Sequence, residues 1–344
     1  MSEQKMFKAL VTAEQRGGFT VLYEGGELPA VITGKLAGEA VSRLDYPVVG
    51  DEVEMSLHDG GAKAVIHGVL PRRTLLLRKA LDGASDAQPV AANVDKVFIV
   101  MGLDGNYNIA RMERMLTAAW DSGAIPVVAL TKKDLCPPEE LAARLDAAAL
   151  AAPGARVLCL SSLSGEGVAE VEAELAGGLR CCFVGSSGAG KSTLVNRLAG
   201  REAALTGEVR EDDSRGRHTT TGRQLHRLPC GGQVIDTPGV REFGVAYSGE
   251  GLATSFADIG ELAAGCRFTD CSHSGEPGCA VAAALETGAL EPERLKSYHK
   301  LRRETERQEL RNDLKKRLAA KGRLKRFGKL VRDITEEKRR LRGG

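Results

Sequence analysis

Nine residues constrain this chain more than any others: Gly185-Ser186-Ser187-Gly188-Ala189-Gly190-Lys191-Ser192-Thr193. They fit the pattern G-x-x-x-x-G-K-[ST], a loop whose backbone N–H groups turn inward around phosphate. The flanks agree with the letters. Cys181-Cys182-Phe183-Val184 reads as a short buried strand and Leu194-Val195-Asn196-Arg197-Leu198 as a continuing helix. The loop therefore opens onto a helix N-terminus, which adds partial positive charge. In that setting Lys191 is expected to reach the β- and γ-phosphate oxygens, and the Ser192 hydroxyl to ligate Mg²⁺. A glycine turn that binds nothing would not need lysine and serine at these two places. The chain is read as nucleotide-binding, on an α/β scaffold.

Further loops at strand ends carry related chemistry. The strand Ala124–Leu130 ends in Thr131-Lys132-Lys133-Asp134, which resembles the guanine-specifying N-K-x-D motif, with Thr131 in place of Asn. A carboxylate at Asp134 can accept from both N1–H and N2–H of guanine, a pair adenine does not offer. The Lys132 stem can lie along the base. After the strand Ala155–Leu160 comes Ser161-Ser162-Leu163, similar to the S-A-x loop whose backbone meets the guanine O6. Beyond the phosphate loop, the charged stretch 208–217 leads into His218-Thr219-Thr220-Thr221, where a switch threonine, Thr220 the candidate, would complete the Mg²⁺ shell. The strand Gln233-Val234-Ile235 ends in Asp236-Thr237-Pro238-Gly239, which resembles D-x-x-G: Asp236 would hold Mg²⁺ and the Gly239 N–H would sense the γ-phosphate.

Each of these turns alone has a bland reading as a solvated loop, but five together at strand ends do not. Their order is informative. In ordinary GTPases the two guanine-type loops come last; here they come first. Strands can still assemble one sheet if the cut falls between elements, so the arrangement reads as a circularly permuted GTPase domain.

Cys266, Cys271, His273 and Cys279 follow, in the spacing C-x₄-C-x-H-x₅-C. Three thiolates and an imidazole make a closed tetrahedral Zn²⁺ set with no open position, which argues for structural metal rather than catalysis. The chain has eight cysteines in all. Cys136, Cys159, Cys181, Cys182 and Cys230 lie on or beside strands and read as ordinary core residues.

Residues 1–75 show short β segments (19–23, 30–33, 52–55 and 64–66) between the turns Gly17-Gly18, Gly25-Gly26 and Gly60-Gly61. That spacing predicts a small barrel, OB-like in type. Pro71-Arg72-Arg73 to Arg78-Lys79 forms its basic exit, either a phosphate contact or a solvated linker. Residues 280–344 are helical in pattern, with Pro292 a helix start and Leu301, Leu310, Leu314 and Leu318 a partial apolar stripe. The segment from Gly322 to Arg342 is expected to order only on binding.

The net charge of +2 conceals an asymmetry: residues 291–344 carry 20 Lys/Arg against 9 Asp/Glu. A basic tail on an acidic body points to a polyanion such as RNA, with a solvated charged helix as the competing account. No apolar run approaches the roughly 18 residues of a membrane span. Met1-Ser2-Glu3-Gln4-Lys5 lacks the apolar core of a secretory signal. A cytoplasmic protein without membrane contacts is expected.

Taken together, the chain resembles the ribosome-small-subunit-dependent GTPase A family. Residues 215–221 (Arg-Gly-Arg-His-Thr-Thr-Thr), 236–243 (Asp-Thr-Pro-Gly-Val-Arg-Glu-Phe) and the Cys/His set carry the resemblance most specifically. It implies an OB barrel (1–75), a permuted GTPase domain (76–250) and a zinc domain with a basic helical tail (251–344). It also implies GTP hydrolysis to GDP, stimulated by the small ribosomal subunit during its late maturation, with rRNA contacts and a monomeric chain. Lys191, His218 and Asp236 are the candidate catalytic residues. Val240 stands where related enzymes carry a water-orienting Gln, so the free protein is expected to turn over slowly, with His218 the substitute. Two rivals stay open: a GTP-dependent metallochaperone or metabolic GTPase, and a non-catalytic RNA-binding assembly factor.

Overall fold

The computed structural model describes residues 5–15, 17–78, 88–200, 223–236, 249–307 and 309–310. Strands β1 (Phe7–Gln15), β2 (Gly18–Tyr23) and β3 (Gly26–Ile32) form a meander, followed by helix α1 (Gly34–Glu39) and strands β4 (Glu52–His58) and β5 (Lys63–Val69). β3 pairs in parallel with β5, and β4 returns to β1 with Phe7 opposite Met55. The ring β1-β2-β3-β5-β4-β1 is closed, as an OB-like barrel requires. Val11, Val21, Val53, Met55 and Ile66 fill it. β1 does not show in the sequence because a bulge between Val11 and Ala13 breaks its alternation, so Val11, Thr12 and Ala13 are buried in succession.

The basic exit is neither a linker nor a free phosphate contact at its start. Arg72 donates to both carboxylate oxygens of the buried Asp51 at 2.8 Å, and to the carbonyls of Leu44 and Tyr46. Arg73 pairs with Asp95 at 3.1 Å. The chain then continues as β6 (Leu75–Arg78), antiparallel to β7 (Gln88–Ala92).

The central sheet uses β8 (Lys96–Gly102), β9 (Ile125–Thr131), β10 (Arg156–Cys159), β11 (Arg180–Val184), β12 (Arg223–Arg227) and β13 (Gln233–Asp236), in the order β10-β9-β8-β11-β13-β12. All are parallel except β12. Helices α2 (Ile109–Asp121), α3 (Pro138–Ala151), α4 (Val168–Leu175) and α5 (Lys191–Ala199) cover it. Covered on both faces, its inner strands β8, β9 and β11 are continuous apolar runs rather than alternating, whereas the edge strand β12 buries only Leu225. Val97, Ile99 and Met101 of β8 join the core of α2; Phe98 and Val100 join that of α4 and α5, with Phe98 stacked on Phe183 at 4.9 Å. The phosphate-loop strand β11 thus lies centrally, between β8 and β13, although β8 to β10 precede it in the chain. This is the permuted order.

β1 also pairs with β12, through Ala13–Gln224 and Glu14–Arg223, and an ion pair of 2.7 Å joins the latter two side chains. Barrel and central sheet are therefore one continuous eleven-stranded array.

The last described part is helical: α6 (Glu250–Ser255), α7 (Ala257–Ala263), α8 (Ala280–Glu286) and α9 over 292–307. Helix α9 begins at Pro292 as expected, and its Leu301 is buried. Leu310, however, is 72% exposed rather than buried like Leu301, while Leu314, Leu318 and the segment 322–342 lie outside the described residues. Arg294 fastens α9 to the central domain. It donates to Glu113 of α2 at 2.7 Å and Asp258 of α7 at 2.9 Å, and lies 4.2 Å over the Phe256 ring. Among the described residues no helix is long and apolar enough to cross a membrane.

Candidate nucleotide site and metal centre

The phosphate loop leaves the end of β11 against β8. At Gly185 a Cβ would stand 2.3 Å from the Val100 carbonyl oxygen, so only glycine permits this approach. Gly190 caps α5, and Lys191 is its first residue. The Lys191 ammonium donates to the carbonyls of Gly185 at 2.8 Å and Ser186 at 2.6 Å, curling back over the loop. Ala189 is buried; Ser187, Gly188, Ser192 and Thr193 are exposed.

β9 ends beside this loop. Thr131 is buried, and its hydroxyl donates to the Ala189 carbonyl at 2.6 Å, across 58 residues of sequence. The residue that departs from the N-K-x-D pattern is thus the one that ties the two loops together. Lys132 is left-handed at φ 59 and donates to Asp104 at 2.7 Å. That hydrogen bond holds the Asp104 carboxyl below the usual carboxylate range. Lys133 pairs with Glu166 at 2.5 Å, and its N–H bonds the Leu160 carbonyl. Asp134 is exposed in the turn Lys133–Leu135.

The third loop starts at the end of β10. The buried Ser161 hydroxyl accepts from the Ser164 N–H at 3.2 Å. The Ser162 hydroxyl is buried with no hydrogen-bond partner among the described residues, an arrangement native proteins seldom keep without a use. Leu163 is 74% exposed. Asp236 ends β13, next to β11 in the sheet. His218, Thr220, Gly239 and Val240 lie outside the described residues. Asp104, which sequence reasoning passes over, joins this group because its partner is remote in the chain.

Between α7 and α8, residues 264–279 form only turns and bends. Here the ligand atoms of Cys266, Cys271, His273 and Cys279 gather within 4.8 Å of one another, a group able to bind a metal ion. His273 Nδ1 lies 3.7 Å from the sulfurs of Cys266 and Cys279, which are 3.9 Å apart. Burial pushes the His273 pKa down, favouring the neutral, metal-binding form. Glu276 braces the loop: it accepts from the N–H groups of Ser272 and Ser274 and from the Ser272 hydroxyl, whose hydrogen bond leads in bringing its pKa down to about 2. Of the other cysteines, Cys136, Cys181 and Cys182 are buried and Cys159 and Cys230 half-buried.

The family model described as RsgA GTPase matches residues 69–246. Small ribosomal subunit biogenesis GTPase RsgA 2 of Lactiplantibacillus plantarum is 46% identical over 294 residues, covering 86% of this chain and 82% of that protein. RsgA 1 of Oceanobacillus iheyensis is 45% identical over 297 residues, covering 86% and 84%. The crystal structure of YjeQ from Thermotoga maritima matches with a TM-score of 0.65 at 26% identity, covering 88% of this chain and 99% of that one. The structure of YloQ, a circularly permuted GTPase, shares the fold, with a TM-score of 0.64 at 22% identity over 89% and 97% of the two chains.

Proposed function

The chain belongs to the RsgA GTPase family, and from that premise we propose that it hydrolyses GTP when the small ribosomal subunit stimulates it, late in that subunit's maturation. One observation carries the reading: the Thr131–Ala189 hydrogen bond, which joins a guanine-type loop to a phosphate loop from a distant part of the chain. Base and phosphates are then read by one rigid unit.

In hydrolysis, water adds to the γ-phosphorus and the bond to the β–γ bridging oxygen breaks, giving GDP and phosphate. Lys191 turns from the loop carbonyls to the β- and γ-phosphate oxygens, and the N–H groups of Gly188 to Thr193 cradle them. Asp134 accepts from guanine N1–H and N2–H, the Ser161–Leu163 loop faces O6, and Lys132 lies along the ring. Mg²⁺ suits the hard oxygen donors Ser192 and Asp236, with Thr220 the switch ligand, and would offset charge on the β- and γ-phosphates. Gly239 would sense the γ-phosphate, and His218 would assist the attacking water in place of Val240.

Zn²⁺ suits the cysteine–histidine set, since tetrahedral Zn–S and Zn–N bonds imply ligand separations of about 3.6–3.8 Å, close to the 3.7 and 3.9 Å among Cys266, His273 and Cys279. A closed set of four favours a structural ion over a metallochaperone's cargo. The rRNA contact is assigned in part to α9, where Lys296, Lys300, Arg303 and Arg307 are exposed at helical spacing on one face. We take the three units to be 1–75, 76–250 and 251–344, in a monomer working in the cytoplasm away from membranes.

The test is phosphate release from GTP and from ATP, with and without purified small subunits. Slow release from GTP, rising strongly with small subunits and little with large ones, is expected. Equal rates with and without subunits would remove the activation, and absent turnover throughout would favour a non-catalytic RNA-binding factor.

A further inference from the structure

Lys132 has a long side chain with many rotamers, yet its task along a base requires only one of them. The fold removes that freedom twice. The residue is held left-handed, at φ 59, a conformation uncommon outside glycine and concentrated at ligand sites. Its ammonium is also tied to a carboxylate on a different strand's loop, Asp104 Oδ2, at 2.7 Å. Asp104 is itself fixed. Its Oδ1 accepts from the Asn106 N–H at 3.0 Å, and its carbonyl from the Tyr107 N–H at 3.0 Å. Space for the pair is cleared by the residue that ends β8. A Cβ on Gly102 would lie 2.6 Å from Asp104 Oδ1 and 3.3 Å from Lys132 Cδ. The same loop reaches the phosphate loop, where a Cβ on Gly188 would meet the Asn106 amide at 3.5 Å.

We propose that Asp104 is a positioning residue of the guanine site, anchoring the Lys132 ammonium beside β8 so that the stem stays along the base and its charge stays off the phosphate loop. The inference rests on the reading of Thr131–Asp134 as the guanine loop. Lys191 then remains the cation that curls over the phosphate loop, while Lys132 contributes apolar contact to the ring. Because GDP and GTP share that base, both lose affinity when the anchor is removed.

Asp104→Asn separates this role from a structural one. Asparagine keeps an oxygen for the Asn106 N–H, so the turn survives, but it lacks the charge that holds Lys132. Release of a fluorescently labelled GDP is measured alongside GTP turnover with small subunits. Release is expected to quicken about fivefold, the effect of freeing one long side chain. KM for GTP should rise by a similar factor, with kcat little changed and the melting temperature kept. The same substitution is then made in a Lys132→Met background, which keeps an apolar stem without the ammonium. There Asp104→Asn should add nothing further. Wild-type release from the Asp104→Asn protein would overturn the proposal, as would an equal loss in the Lys132→Met background. Failure of the underlying guanine reading looks different: the wild-type protein would then bind ADP as well as GDP.

Discussion

The nucleotide loops come from the ends of β9, β10 and β11, whereas the four candidate metal ligands span only 14 positions of one irregular segment. In the first region the sheet enforces the geometry. Gly185 is pressed on Val100, Thr131 is hydrogen-bonded to Ala189, and every turn starts from a strand with fixed neighbours. In the second no strand or helix holds residues 264–279, and sulfurs 3.9 Å apart would repel one another once ionised. Only a cation between them reverses that sign. The cradle is therefore a product of the fold, while on the proposed zinc reading the fold of the cysteine–histidine loop would be a product of its ligand.

The largest expected effect strikes the metal side. If the proposed zinc is structural, Cys271→Ser or treatment with a chelator should abolish amide protection in residues 264–279, because such an ion supplies on the order of 10 kcal/mol. GTP affinity should stay within about twofold, as expected of distant independent sites. Exchange mass spectrometry decides it, and unchanged protection in the metal-free protein would break the contrast. Next comes Lys191→Ala. Removing a charge-assisted phosphate contact should cost about 3 kcal/mol of GTP binding, roughly 100-fold, while the melting curve stays in place. Unfolding of this variant would mean that the cradle needs its lysine to form.

Asp134→Asn should be milder, about 2 kcal/mol or roughly 30-fold for GTP, with xanthosine triphosphate favoured in relative terms. Titration of both nucleotides checks it, and unchanged GTP affinity would remove Asp134 from the base site. The smallest effect sharpens the comparison. Thr131→Val preserves shape but leaves the Ala189 carbonyl without its hydroxyl donor, which should cost about 1 kcal/mol in denaturant unfolding. If GTP affinity falls while stability does not, the bond serves the ligand rather than the sheet.

Both sites were legible in the sequence where chemistry is written in short spacings. Lys191, Asp134 and the C-x₄-C-x-H-x₅-C set each sit in a pattern a few residues long, and the strands that present them are continuous apolar runs. What escaped depends on partners far along the chain. Arg72 reads equally as a phosphate contact or a linker residue until Asp51 stands beside it, and nothing in the sequence singles out Asp104 until Lys132 does. Arg294 looks like one more charge in a basic tail, but it is buried against Glu113. β1 was hidden by its own bulge.

The joining of β1 to β12 also has a timetable. Glu14 is synthesised 209 residues before its partner Arg223. At about 5–20 residues per second, β12 follows roughly 10–40 s later. During that interval the barrel can close through β1 and β4, but the stretch of β1 near Glu14 remains an open edge. β8 waits as well, since Arg180 at the head of β11 comes 85 residues after Asp95. A nascent β8–β9–β10 sheet would then show water an unpaired strand that is apolar on both faces. Such edges invite pairing with other chains, and an acidic residue like Glu14 is a means of discouraging it. A chain released after β8 but before β11 should therefore aggregate through β8, while one ending just after β5 should stay in solution.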